Sequence, residues 1–336
     1  MGKIDIFAKQ DDNMVSGLEG QKILIFGSND TGKTYQSTRL SKPMLLMAEA
    51  GGNARKVTKF AINEWADFTQ IVDQLVKSYD KAKETFQTIV IDTGEALVSI
   101  NEDNVAKMYG VAEVGMVQDA AKGNPNGYAL SRARFKNQIN RLARQGYTVV
   151  FILHEMLDST ENSPTYGKII PYGSNKEKGS TKFIRDLCDF VIYTYANGVD
   201  NETGNTIYSS AICKETDKVF ARSRYPMMQT HIKEFTAENL TKAIEDAIAK
   251  TAADEGAGLV SFTERKVGYT KDDYVQLLQP YVVKLYSLYP DYVTEQIESQ
   301  LGVGKKLTEA TEEQVTELGA LYSTFVDFCT QRDINI

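Results

Sequence analysis

Cysteine and histidine are scarce in this chain. Three cysteines (Cys188, Cys213, Cys329) and two histidines (His154, His231) stand among 336 residues. An odd, widely spaced set of thiols gives neither a disulfide framework nor a zinc pattern, and it fits a reducing compartment. Two histidines are too few for a His-based metal site. Long apolar runs are absent as well: the longest, such as Tyr147–Leu153, fall far short of the roughly 20 residues a transmembrane helix requires. Residues Met1–Gln10 hold no apolar stretch of signal-peptide type. These absences lead us to expect a cytoplasmic protein with no membrane partner. A basic coat is also missing, since the net charge is −7. Most of that acidity lies in the last quarter: residues 255–336 carry −6 and the rest −1. A local basic groove on the larger part is therefore compatible with the composition.

What is present is ordinary globular material, 42% hydrophobic and 25% charged. Short, continuously apolar runs read as buried strands: Lys22–Gly27, Pro43–Ala48, Phe86–Ile91, Tyr147–Leu153 and Leu187–Tyr195. Helical spacing separates them over Lys33 to about Leu40, Asn63–Tyr79 and Tyr128–Gln145. Such alternation predicts an α/β fold with a mainly parallel sheet covered on both faces. Ile207–Lys214 and Val219–Arg222 read as a hairpin. Thr236 caps a helix expected to end near Lys250. The small, polar Thr251–Gly258 reads as a linker, dividing the chain into a larger α/β domain over 1–250 and a C-terminal helical region over 259–336. In that region Thr311 and Gln314 form a capping box before an apolar helix.

Gly27-Ser28-Asn29-Asp30-Thr31-Gly32-Lys33-Thr34 matches G-x-x-x-x-G-K-[ST] in full, between a predicted strand and a predicted helix. The glycines let backbone N–H groups turn inward around phosphates, and the helix that follows adds its positive end. Lys33 supplies a point charge to the β and γ phosphates, and the Thr34 hydroxyl is a Mg²⁺ ligand. Thr88–Asp92 is an apolar strand ending in a carboxylate, which places Asp92 at the ligand-binding edge of the sheet as a second metal group. The expected cofactors are ATP and Mg²⁺. Glu49 closes the strand after the phosphate-loop helix; it reads either as the base that polarises the attacking water or as a solvated strand-end residue. His154 closes the fourth strand and reads either as a γ-phosphate sensor or as an ordinary strand-end histidine.

Taken in order, GSNDTGKT (27–34), MAEAGG (47–52), IVIDT (89–93), FILHE (151–155) and VFARSRYP (219–226) resemble RecA-type ATPases, in particular the phage-encoded recombinase-like ATPases of the Sak4 group. The resemblance covers about residues 22–226. It implies a RecA-like core, Glu49 as catalytic base, His154 as the polar group after the fourth strand, and a homo-oligomeric ring or filament. It also implies a pair of cations that reach a neighbouring subunit's ATP. Here these are Arg222 and Arg224, with an arginine where the family pattern has lysine. For a phage protein the compartment is the host cytoplasm.

The resemblance further implies single-stranded DNA binding by loops. Residue chemistry agrees in part. Leu157–Lys182 is long, polar and broken by Pro and Gly, and reads as a structureless functional loop. It carries Lys168, Lys176, Lys178 and Lys182 as cations for phosphates, with Tyr166 and Tyr172 as stacking faces. Arg132, Arg134, Lys136, Arg141 and Arg144 make the preceding helix basic. The expectation is an ATPase acting on single-stranded DNA in recombination or strand annealing, with a single-strand-binding or annealing protein as a further candidate partner. The alternatives are an ATP-switched loader or partner-recruiting protein in DNA replication and a P-loop kinase. The kinase is disfavoured by the lack of an Arg-rich lid.

Overall fold

A computed structural model describes residues 13–49, 56–117, 126–175, 180–204, 207–262, 271–302, 304–311, 314–332 and 334. The chain divides into two compact units, Asp12–Glu264 and a second comprising Arg265–Ile336 with Met1–Asp11. The strands of the larger unit are β1 (Met14–Val15), β2 (Lys22–Gly27), β3 (Pro43–Met47), β4 (Thr58–Ala61), β5 (Thr88–Asp92), β6 (Thr148–Leu153), β7 (Glu155–Leu157), β8 (Ile169–Pro171), β9 (Phe190–Ala196), β10 (Ser209–Ile212), β11 (Arg222–Ser223), β12 (His231–Ile232) and β13 (Leu259–Val260). Its helices are α1 (Lys33–Ser37), α2 (Trp65–Lys77), α3 (Tyr79–Thr85), α4 (Gly94–Met108), α5 (Gly127–Arg144), α6 (Lys182–Leu187) and α7 (Ala237–Glu255). The smaller unit packs α8 (Lys271–Leu288), α9 (Pro290–Leu301) and α10 (Val315–Gln331) around Leu278, Leu285, Leu318, Leu321 and Phe325.

The architecture is the expected α/β class with C-terminal helices. The main sheet runs β12-β10-β9-β2-β6-β5-β3-β4, with β11 also on β9. From β9 to β4 every pairing is parallel. Strands sandwiched between helices lose contact with water on both faces, which is why β6 is apolar at almost every position and wholly buried. Alternate residues then divide between two cores. Leu24, Phe26, Phe151 and Leu153 pack on the side of α2, α4, α5 and α6, while Ile23, Ile25, Val150 and Ile152 pack on α7.

Three expectations are corrected. Helix α7 does not stop at Lys250. Ala and Glu are good helix formers, Thr251 and Ala252 are buried, and the helix continues to Glu255 until Gly256 adopts a left-handed φ of 69°. The polar run at 251–258 thus begins inside a helix. The segments 207–214 and 219–222 are not a hairpin: β10 and β11 each pair antiparallel with β9. Nor is Leu157–Lys182 structureless. Strands β7 and β8 form an antiparallel hairpin, and its turn closes on the buried Asp158 carboxylate. That carboxylate accepts from Ser163 Oγ (2.6 Å), Thr165 Oγ1 (2.7 Å), Thr160 N (3.0 Å) and Asn175 Nδ2 (3.1 Å).

Candidate functional site

The parallel registers bring several chain segments to one sheet edge. Gly27 of β2 pairs with Thr194 of β9, Phe26 with Leu153 of β6, and Asp92 of β5 with Ile152 of β6. The phosphate loop, Asp92, Thr93 and His154 therefore share the carboxyl ends of neighbouring strands, where α/β ligands bind. A cleft of about 220 Å³ is lined there by Asn29, Asp30, Gly32, Lys33, Thr34, Asp92, Thr93 and His154, among others.

The loop's glycines have local reasons. A Cβ on Gly27 would sit 2.2 Å from the Thr194 carbonyl oxygen, so only glycine lets β2 turn off β9 there. Gly32 is left-handed, with φ 79°, directly before α1. Thr31 Oγ1 donates to the Ser28 carbonyl at 3.0 Å and lies 2.9 Å from Thr194 Oγ1, which ties the loop to β9. The Lys33 ammonium is buried and donates to the carbonyls of Gly27 (2.9 Å) and Ser28 (2.6 Å). Burial lowers its pKa, while Asp92, Glu155, Glu95 and Asp30 oppose that shift. A cation held against two loop carbonyls, with acidic groups around it, is ready to exchange those contacts for phosphate oxygens.

Thr34 Oγ1 donates to Asp92 Oδ2 at 2.7 Å. Burial pushes the Asp92 carboxyl up, and Glu49 adds to that, against the Thr34 hydrogen bond, Lys33 and His154. A hydroxyl and a carboxylate in contact form the hard oxygen donor set that Mg²⁺ takes. These residues fit the cation that the loop motif implies.

Glu49 reaches this site from across the sheet. Its strand, β3, is not beside β2: β6 and β5 intervene. Its carboxylate instead accepts from the Thr93 hydroxyl at 2.7 Å, next to Asp92. His154 lines the cleft, and its Nδ1 lies 2.7 Å from Glu95 Oε1. Its carbonyl accepts from the Tyr172 N–H at 2.9 Å, a direct tie to the segment after β8. The residue reading missed Thr93, Glu95 and Thr194. Glu95 follows the Asp92 strand by three residues and begins a helix with Leu97, Val98, Asn101 and Val105 on its buried face; that spacing was a usable signal. Thr194 had no local signal, because only sheet pairing brings it to Thr31.

Arg222 and Arg224 are not part of this cleft. Arg222 pairs with Val191 near the start of β9, the opposite sheet edge from Gly27. Its guanidinium donates to the Asp186 and Cys188 carbonyls, both at 3.2 Å, at the end of α6. Arg224 donates to the Leu187 carbonyl and pairs with the buried Asp189 at 3.2 Å.

The proposed DNA residues separate into four groups. Lys168 is paired with Glu215 at 2.7 Å. Tyr166 and Tyr172 are exposed. Lys176 and Lys178 lie outside the described residues. Lys182 joins Arg132 and Lys136 of α5 and Arg185 of α6 in a groove of about 1050 Å³, together with Glu161, Asp186 and Glu215. Two other cations of α5 have different work: Arg141 pairs with Asp73 at 2.7 Å and Arg134 donates to Asn104 at 3.1 Å.

Comparison with known proteins adds three findings. The chain matches the AAA domain family over residues 19–225, a span that holds the phosphate loop, Asp92, His154 and both arginines. It is similar to the SPbeta prophage-derived uncharacterized protein YorG of Bacillus subtilis (strain 168), with 35% identity over 338 residues, covering 98% of this chain and 99% of that protein. The crystal structure of the RadB recombinase aligns with 59% of this chain and 82% of its own, at 12% identity and a TM-score of 0.35.

Proposed function

The chain belongs to the AAA domain family of P-loop NTPases, and from that premise we propose that it hydrolyses Mg²⁺-ATP and acts on single-stranded DNA in recombination or strand annealing, as the recombinase-like phage ATPases do. The observation that carries the nucleotide half is the Thr34–Asp92 contact of 2.7 Å beside the buried Lys33. Backbone N–H groups of residues 27–34 bind the phosphates, Lys33 neutralises them, and Thr34 and Asp92 hold the cation. Bound Mg²⁺ supplies charge neutralisation and fixes the phosphate chain's orientation. Glu49 orients and deprotonates the attacking water from beside Thr93. His154 senses the terminal phosphate; its main-chain bond to Tyr172 supports coupling to the loop that follows β8.

The groove of Arg132, Lys136, Lys182 and Arg185 is the reading's DNA site: cations from α5 and α6 meet there although they are far apart in the chain. Tyr166 and Tyr172 are the stacking faces. Arg222 and Arg224 serve a neighbouring subunit in a homo-oligomer. Their distance from their own phosphate loop supports this role, although each must first leave its carbonyl partners on α6. A second reading, an ATP-switched recruiter in replication, is favoured by one feature: Val283, Tyr286 and Leu288 are exposed on α8 of the acidic C-terminal unit.

The test is ATP turnover with and without single-stranded DNA, for the native chain and Lys33→Ala. Native turnover that rises with DNA, and its loss in a folded Lys33→Ala protein, is the expected result. Equal turnover in the two proteins overturns the nucleotide site, and turnover indifferent to DNA favours the recruiter.

A further inference from the structure

Behind His154 stands a residue with no role in the scheme above. Glu95, in the first turn of α4, uses one oxygen twice: Oε1 lies 2.7 Å from His154 Nδ1 and accepts from the His154 main-chain N–H at 3.1 Å. The side chain is only 13% exposed, against 42% for that of His154. Its second oxygen, Oε2, is buried and has no protein hydrogen-bond partner among the described residues. Glu95 also lies within electrostatic reach of Lys33. A deeply placed carboxylate that holds both the ring and the backbone of one cleft residue does more than join α4 to β6.

We infer that Glu95 is the positioning residue for His154: it sets the tautomer and direction of the imidazole that faces the nucleotide. An ionised carboxylate can only accept, so Nδ1 must carry the proton. Nε2 is then the ring nitrogen left across from Glu95. Free imidazole side chains favour the other tautomer, so the contact imposes a choice that the isolated residue would not make. The bond to the His154 N–H fixes the strand end as well, and with it the carbonyl that holds Tyr172. A carboxylate behind a cleft histidine has the geometry by which proteins set ring orientation and ligand basicity. The inference rests on the reading of this edge as the nucleotide site.

Two measurements test it. With only His154 and His231 in the chain, long-range ¹H–¹⁵N spectra of ¹⁵N-histidine-labelled protein resolve both rings, and His231→Gln assigns them. His154 in the native protein is expected as the Nδ1–H tautomer. Glu95→Gln keeps an accepting oxygen and should retain it; Glu95→Ala should lose it. In ATP turnover, Glu95→Ala is expected to lower kcat roughly 10- to 100-fold with KM for ATP within about twofold. Glu95→Gln should restore most of that loss, and Glu95→Ala/His154→Ala should be no slower than His154→Ala, since two parts of one device do not add. An Nε2–H tautomer in the native protein overturns the inference even if Glu95→Ala fails to fold. So does an unchanged tautomer in folded Glu95→Ala, or a double variant whose losses multiply. If Lys33→Ala also turns over ATP normally, the nucleotide reading has failed, and the spectra still decide the Glu95–His154 relation by themselves.

Discussion

Individual residues at the sheet edge are held by contacts that nucleotide can exchange. Lys33 rests on two loop carbonyls, and Thr34 donates to Asp92. A phosphate oxygen is a charged and therefore stronger acceptor for Lys33 than either carbonyl. Glu49 differs. Its carboxylate is exposed at the end of β3 and is steered by the Thr93 hydroxyl. Glu49→Gln keeps the acceptor for Thr93 and removes the basicity. Nucleotide affinity is therefore expected to stay within about twofold while kcat falls roughly 10²-fold or more. Fluorescent-nucleotide titration beside steady-state turnover measures both quantities. Normal hydrolysis in this variant would make Glu49 solvated surface and assign the water to another group.

The turn of the β7–β8 hairpin gathers around a single group, the Asp158 carboxylate. Burial pushes the Asp158 carboxyl up, but hydrogen bonds from Ser163, Thr165, the Thr160 N–H and Asn175 outweigh it and hold the group well below the usual carboxylate range. A depressed carboxylate pKa means the folded chain binds the proton less readily than the unfolded chain. The resulting stabilisation is present in full above the ordinary value of 3.8 and drains away as pH falls below it. Asp158→Ala leaves four donors without their acceptor, and is expected to cost about 3 kcal/mol at pH 7. The stability gap between native and variant chains should narrow from pH 7 to pH 3 in denaturant titrations. A gap that does not change with pH would mean that packing, not the charge, holds the turn. Arg222 and Arg224 have a comparable local duty at the end of α6, where the last carbonyls of a helix lack intrahelical partners.

For the whole molecule, polyanion binding by a chain of net charge −7 requires local patches. The groove that unites Arg132, Lys136, Lys182 and Arg185 is such a patch, tempered by Glu161, Asp186 and Glu215. Each phosphate neutralised on a single strand contributes about −0.7 to the slope of log affinity against log salt. Arg132→Ala/Lys136→Ala should therefore weaken single-stranded DNA binding and flatten that slope by about 1.4, with nucleotide binding unchanged. An unaltered slope in fluorescence anisotropy would move the DNA elsewhere. The composite-site reading has its own test. Lys33→Ala subunits mixed with Arg222→Ala/Arg224→Ala subunits are expected to regain part of the lost turnover, because some interfaces then pair an intact phosphate loop with intact arginines. Proteins shown to co-assemble yet giving no rescue would leave both arginines with only their work on α6.

The sequence by itself determined the parts of this protein that depend on local pattern. A continuous apolar run between helices must be a buried strand, so the parallel strands of the core were legible, as was the phosphate loop, whose glycines and Lys33-Thr34 are adjacent in the chain. The Thr236 cap and the Thr311–Gln314 capping contact were legible for the same reason. Strand order was not. It alone sets β6 between β2 and β5, brings Thr194 to Thr31, and carries Glu49 to Thr93 from β3, with β6 and β5 between it and β2. The hairpin read at 207–222 failed because pairing partners are chosen by the whole sheet, and β9 offered its free edge to both β10 and β11. The loop after β7 looked structureless because its order comes from one buried carboxylate gathering donors up to 17 residues away. Likewise Arg132 and Lys182 became one groove, and Glu95 and His154 one pair, only when helices packed on a shared sheet face. Side-chain chemistry is written along the chain, but contact between distant side chains is decided by which strands hydrogen-bond and which faces exclude water.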